Sequence, residues 1–170
     1  YSLSEGAIPV ADLVNLSKQM RMPAVALTDT SNMFGVLEFS QFAVKAGIQP
    51  IIGCQLLLGK EPSVEKTSAH NSGLRSLGPL ILLAQNKLGY QNLLSLLHFA
   101  YMGPENFDEP IVNILEISKF SEGLLLITGG ANGPIGNLIR ADQNKGAEEL
   151  LCALTNAFPN RLYIEIQRHG

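Results

Sequence analysis

The stretch AVALTDTSNMFG, residues 24–35, decides how this chain folds. It opens on AVALT, an apolar and partly β-branched run of strand length, which predicts a short buried strand. Asp29, Thr30, Ser31 and Asn32 follow, and these are turn formers. A new apolar pattern then begins at Phe34, Leu37, Phe42, Ala43 and Ala46, which predicts a helix that Gly47 stops. A strand that passes through a polar turn into a helix is the repeating unit of α/β folds, and polar groups at the mouth of a buried strand face a site. Asp29 and Thr30 are the first candidates.

The alternation continues on both sides. Val10, Leu13, Val14 and Ser17 have helical spacing behind Pro9. PIIGCQLLL reads as a strand entered through Pro50, with Gly53 as a possible bulge. Residues 60–78 turn to Ser, Gly, Lys, Glu and Asn without a period, which predicts a variable surface loop carrying an exposed His70. PLILLA is the next strand. Asn86 is placed to cap a helix with Leu93, Leu94, Leu97 and Tyr101 on one side. The turn-rich MGPENFDEP, a short helix from Val112 to Ile117 and the strand GLLLIT come next, the strand ending at Gly129 and Gly130. Ala147, Leu150, Leu151, Leu154 and Ala157 mark a further helix, and RLYIEIQ a last strand. Strands apolar on both faces, alternating with helices, predict an α/β fold with a parallel sheet, either open and doubly wound or part of a barrel. Function in both gathers at the carboxyl ends of the strands. Asp29, Thr30, Gln55, Gln85, Gly129, Gly130 and residues 167–169 stand there.

The 170 residues suit one domain with a real core, at 46% apolar and 16% charged. A net charge of −3 offers no broad basic surface, so strong direct DNA binding by this stretch is not expected. Cys54 and Cys152 form no paired-thiol motif and read as core residues of a reducing, cytoplasmic compartment. No apolar run is long enough to span a membrane, and no signal peptide is evident. The chain opens on Tyr1 rather than Met, as a piece of a longer protein would.

The blocks YSLSEGAI, MPAVALTDTSNMFGVLEF, AGIQPIIGCQLLL, LGYQNL, EGLLLITGG and YIEIQRHG, in this order, resemble the amino-terminal PHP domain of the bacterial DNA polymerase III alpha subunit, a replicative C-family polymerase. The resemblance implies a distorted (β/α)7 barrel with metal ligands at the strand ends. It implies a single PHP-like domain over 1–170, truncated at both ends: a His-rich first motif would precede Tyr1 and the last strands would follow Gly170. It further implies that the polymerase carboxylates and their magnesium lie outside this chain. The implied partners are the rest of the alpha subunit and a proofreading exonuclease subunit.

Two ligand positions depart from that family. Its turn reads Thr-Asp-His where this chain has Thr28-Asp29-Thr30, and its Gly-Cys-Glu has become Gly53-Cys54-Gln55. A hydroxyl and an amide are poor ligands for a zinc-like ion. Asp29 and His169 remain as weak metal candidates, fewer than the three protein ligands of a catalytic zinc site. The expectation is therefore a vestigial pocket of Asp29, Thr30, Asn32, Gln55, Arg168 and His169, with no catalytic residue, no resident cofactor and a structural and docking role. Thr30 and Gln55 are expected to hydrogen-bond each other or water. Asp29 and Asn32 read as turn or helix-capping groups, with a ligand role for Asp29 as the alternative. His169 is either a leftover ligand or a polar rim residue, and His98 reads as packed or satisfied by backbone. Glu165 either points into the barrel or pairs with Arg168 or Arg161. TGGANG lacks the lysine of a phosphate loop and reads as a tight strand-to-helix turn. Two alternatives stand beside this reading. One is a metal-dependent PHP phosphoesterase or 3'-5' exonuclease using zinc or manganese, with ligands partly outside the chain. The other is a free-standing α/β binding protein.

Overall fold

The computed structural model describes residues 8–60, 76–102 and 110–168. Of the loop expected over 60–78, residues 61–75 lie outside the described ones, as do His70, 103–109 of the connector and His169.

Helix α1 (Val10–Gln19) starts directly behind Pro9, and strand β1 (Ala24–Thr30) carries the stretch read first. Helix α2 (Val36–Ala46) ends at Gly47, whose φ of 77° is left-handed and costs glycine nothing. Strands β2 (Gln49–Gly59) and β3 (Ser76–Ala84) form the middle of the sheet. Asn86 does initiate helix α3 (Lys87–Met102), its Oδ1 accepting from the Gly89 amide at 2.9 Å. After β4 (Ile111–Val112), Asn113 and Glu116 cap each other's backbone to start α4 (Ile114–Lys119). Strand β5 (Leu124–Ile127), helices α5 (Pro134–Arg140) and α6 (Asn144–Ala157), and β6 (Leu162–Tyr163) complete the described elements. No described helix is long and apolar enough to cross a membrane.

Among the described residues the sheet has six strands in the path β1-β2-β3-β5-β6, with β4 paired to β2, and it does not close into a barrel. Three pairings are parallel, β1 with β2, β2 with β4 and β5 with β6. The all-parallel expectation fails at β3, which runs antiparallel to both β2 and β5. A run that is apolar throughout has no direction written in it, so its sense is set only by how the chain returns. The strand also begins at Ser76, inside the loop that composition suggested. At the other end, RLYIEIQ keeps strand pairing for Leu162 and Tyr163 alone, leaving Ile164 and Ile166 exposed.

Helix faces show where apolar counting misleads. α2 buries Phe39 and Ala43, whereas Phe34, Leu37 and Phe42 face solvent. α3 buries Gly89, Leu93, Leu96 and Ala100, so Leu94 and Tyr101 lie on its outer side. His98 is exposed rather than packed, its ring edge-on to Phe99. Cys152 is exposed on α6, while Cys54 is fully buried. Both long helices are apolar on more than one side, and contact with the sheet decides which stripe goes in.

The core lies chiefly on one face of the sheet. Cys54, Leu56, Leu58, Leu80, Leu82, Leu124 and Leu126 pack there with Leu93, Leu96 and Ala100 of α3 and with Leu154 and Phe158. A second cluster joins Val14, Phe39, Ala43 and Ile48 to Val25, Leu27 and Ile52. At 1.5–3 kcal/mol for each fully buried large side chain, roughly, these clusters dominate the favourable side of folding.

Gly53 is not a bulge, since β1, β2 and β3 stay in register through it; the irregularity falls between Leu58 and Gly59. It is small for another reason. A Cβ there would lie 2.6 Å from the Leu82 carbonyl and 2.9 Å from Thr28 Cγ2. Gly53→Ala is expected to destabilise the fold by about 1–3 kcal/mol, the usual cost of overpacking, as read by urea denaturation.

Candidate functional site

Register places the candidates. Residues directly opposite each other in neighbouring strands share a face, and the next residue along each strand takes the other. One row across the sheet is Asp29, Cys54, Leu82, Leu126 and Leu162. The adjacent row is Thr30, Gln55, Ile81, Ile127 and Tyr163. Cys54, Leu82 and Leu126 belong to the core that α3 covers, so the Asp29 row faces that core and the Thr30 row faces away from it.

On the outward row Gln55 Nε2 donates to Thr30 Oγ1 at 3.3 Å, the pairing expected for these residues. Both side chains are half-buried and neutral. The bond ties β1 to β2 where the former ends, adding about 1 kcal/mol in the usual net terms.

On the core side the turn 29–32 is held by its neighbours. The Ser31 amide donates to the Gln55 carbonyl at 2.8 Å, and the Tyr101 hydroxyl reaches from α3 to the Ser31 carbonyl at 2.8 Å. Asn32 brackets the turn, its Nδ2 donating to the Thr30 carbonyl at 2.9 Å and its Oδ1 accepting from the Phe34 amide at 3.2 Å. Asn32 thus performs the turn role that sequence offered to either Asn32 or Asp29, and Asp29 is a buried residue near the end of β1. The Cys54 sulfur lies 3.2 Å from the Asp29 carbonyl and 3.4 Å from that of Asn32, either of which its single proton can serve. Desolvation, opposed in part by the Asn32 and Ser31 backbone and aided by the Asp29 charge, pushes this thiol up to about 12. Ser31 is buried with φ of 54°, a left-handed conformation that costs a side-chain residue of order 1–2 kcal/mol. Its hydroxyl has no hydrogen-bond partner among the described residues.

The remaining candidates are elsewhere. Because β3 is antiparallel, Gln85 leaves the strand-end set: it lies toward the opposite end of the strands, in a shallow groove with Pro50, Ile52 and Tyr90. Glu165 takes neither arginine. Its Oε1 accepts from Gln167 Nε2 at 2.6 Å and its amide donates to Thr128 Oγ1 at 3.1 Å. Arg161 donates to the Leu124 carbonyl at 2.9 Å and stacks over Phe158. Arg168 is exposed. Residues 129–133 form the tight turn expected of TGGANG, with Gly129 and Gly130 left-handed around a short 3-10 segment before α5. Among the described residues no three His, Cys, Asp or Glu side chains gather to hold a metal ion. Sequence reading had Ser31 only as a turn former, and it missed Tyr101 as a builder of this region and Thr128 as the partner of the Glu165 amide. Tyr101 sits in an apolar helical pattern, and nothing local marks a residue whose only task is to reach a distant carbonyl.

An α/β sheet with polar strand ends defines a broad class, and comparison narrows it. The PHP domain family matches residues 1–169, and the chain belongs to that family. It is 39% identical over its whole length to the DNA polymerase III subunit alpha of Caulobacter vibrioides and 37% to that of Borreliella burgdorferi. The corresponding protein of Escherichia coli K12 is 31% identical, again across the whole chain. The chain spans 14–15% of the length of these relatives.

Three outcomes follow from the turn and the two thiols. With native protein at neutral pH, Cys152 should react with a thiol reagent and Cys54 should not until the chain is denatured. Above pH 9.0 the unfolded thiol loses its proton while the folded one keeps it to about 12, so Cys54 also makes the native state progressively less stable as pH rises through that window. Ser31→Gly should raise stability by about 1 kcal/mol in the same urea measurement, because glycine relieves the left-handed strain and removes a buried hydroxyl.

Proposed function

We propose that this chain is the PHP module of a DNA polymerase III alpha subunit, that it is catalytically silent, and that it supports the polymerase core and docks a separate subunit. The observation that carries the reading is the end-to-end match of the chain to one segment of alpha subunits about seven times its length. DNA synthesis, with its magnesium, then belongs to parts of the parent protein beyond this domain, in the cytoplasm. The residues offer support for silence: where the resemblance calls for imidazole and carboxylate, Thr30 and Gln55 supply a hydroxyl and an amide bonded to each other. Such a donor set suits a neutral hydrogen-bonded junction better than hydrolysis by bound cations. The low net charge supports a protein-docking role over a grip on DNA phosphates.

The docking partner that fits is the proofreading exonuclease subunit of the same polymerase, whose own nuclease would make a second one unnecessary. The test is co-purification and surface plasmon resonance between that subunit and the full-length alpha protein. Saturable binding that is lost when residues 1–170 are deleted is expected, and unchanged binding after the deletion refutes the docking role.

A further inference from the structure

Resting on the proposed docking role, we infer the place and the chemistry of that contact: the docked subunit seats an acidic, aliphatic peptide segment in a cavity between α5, the end of β2 and the start of β3. The cavity measures about 390 Å³. Lys60, directly after β2, lines it together with Ser76 and Leu77 at the head of β3 and with the second half of α5. It therefore stands at the carboxyl end of β2, the end at which α/β folds place their ligands.

Its charge is one-sided. Among the described residues Lys60 and Arg140 line the cavity and no carboxylate does, in a chain whose net charge is −3. Neither cation is ion-paired among those residues. Arg140 is held in place as well. Its Nη2 donates to the Ala131 carbonyl and, at 2.7 Å, to Asn137 Oδ1, which leaves Nη1 and Nε as donors. Asn137 in turn donates to the Leu77 carbonyl at 2.8 Å and to the Asn132 carbonyl at 2.9 Å. Gly78 permits this closeness, since a Cβ there would lie 2.5 Å from the Asn132 carbonyl oxygen and 2.8 Å from Asn137 Nδ2. A guanidinium fixed in this way suits a carboxylate or a phosphate, either of which its planar fork grips with two bonds.

The rest of the lining chooses between those anions. Leu77, Leu138 and Ala141 supply apolar surface, and Ser76 and Gln143 supply neutral polar groups. Among the described residues no aromatic ring lines the cavity, so a nucleotide finds nothing on which to stack its base. A bare phosphate makes no use of the leucines. A peptide with Asp or Glu beside an aliphatic side chain uses both the apolar surface and the cations, and this complementarity favours a protein occupant over a nucleic acid.

The test measures binding of the exonuclease subunit to the full-length alpha protein, as wild type and as Lys60→Glu, Arg140→Glu and Lys18→Glu. Lys18 lies on α1, outside the cavity, and controls for the change in net charge. Lys60→Glu and Arg140→Glu should each weaken binding about fivefold at low salt. That loss should fade toward about 1 M salt, where the screening length falls to roughly 3 Å. Lys18→Glu should bind as the wild type does. Arg140 also holds the Ala131 carbonyl, so Lys60→Glu, whose side chain has no hydrogen bond among the described residues, is the decisive variant. Unchanged binding by Lys60→Glu, or an equal loss in Lys18→Glu, overturns the inference. Weaker binding of a single-stranded oligonucleotide by Lys60→Glu, with the exonuclease subunit held as before, overturns it too and gives the cavity to phosphates. Binding that is lost on deleting residues 1–170 but survives Lys60→Glu removes the cavity and leaves the docking role standing.

Discussion

The parallel register of β1 on β2 governs the rest of this structure. Seven residues of β1 lie opposite Gln49 through Gln55, and that alignment fixes which side chains enter the core and which face outward at the strand ends. A slip by one residue would send Asp29 outward and turn Thr30 into the core. Register is held by the Val25–Ile52 side of the sheet packing on Phe39 and Ala43, and by Cys54 packing with Leu82 and Leu126. The turn at 29–32 is then locked from three directions, by the Gln55 carbonyl, the Tyr101 hydroxyl and the Asn32 side chain.

Such bracing bears on how a strand end can persist with neutral groups where the family resemblance implies ligands. An ion site built from several carboxylates would repel itself without its cations, since like charges a few ångströms apart cannot all stay ionised. A threonine and a glutamine bonded to each other place no net charge at the strand ends. The strained conformation of Ser31 persists because its amide and carbonyl are both taken by partners whose positions the core dictates. The turn at this strand end is thus held by packing and hydrogen bonding.

Leu37 and Val44 stand exposed along α2 and Phe34 just before it, and Ile164 and Ile166 stand exposed after β6. Scattered apolar residues of this kind are ordinary on a protein surface.

Sequence by itself determined the order of elements, several of their punctuation marks and the family. Pro9, Gly47 and Asn86 act within one turn of chain, so their effect is written locally. The neutral pair Thr30 and Gln55 was legible as well, because family motifs fix which positions meet. Sequence did not determine the sense of β3, the buried stripes of α2 and α3, or the different burial of two similar-looking cysteines. These depend on which of several apolar surfaces wins contact with the sheet, a competition decided by the whole core at once. The separation of Asp29 from Thr30 is of the same kind. Adjacent in the chain, they part because a strand sends successive side chains to opposite faces, and only the assembled sheet says which face is the core.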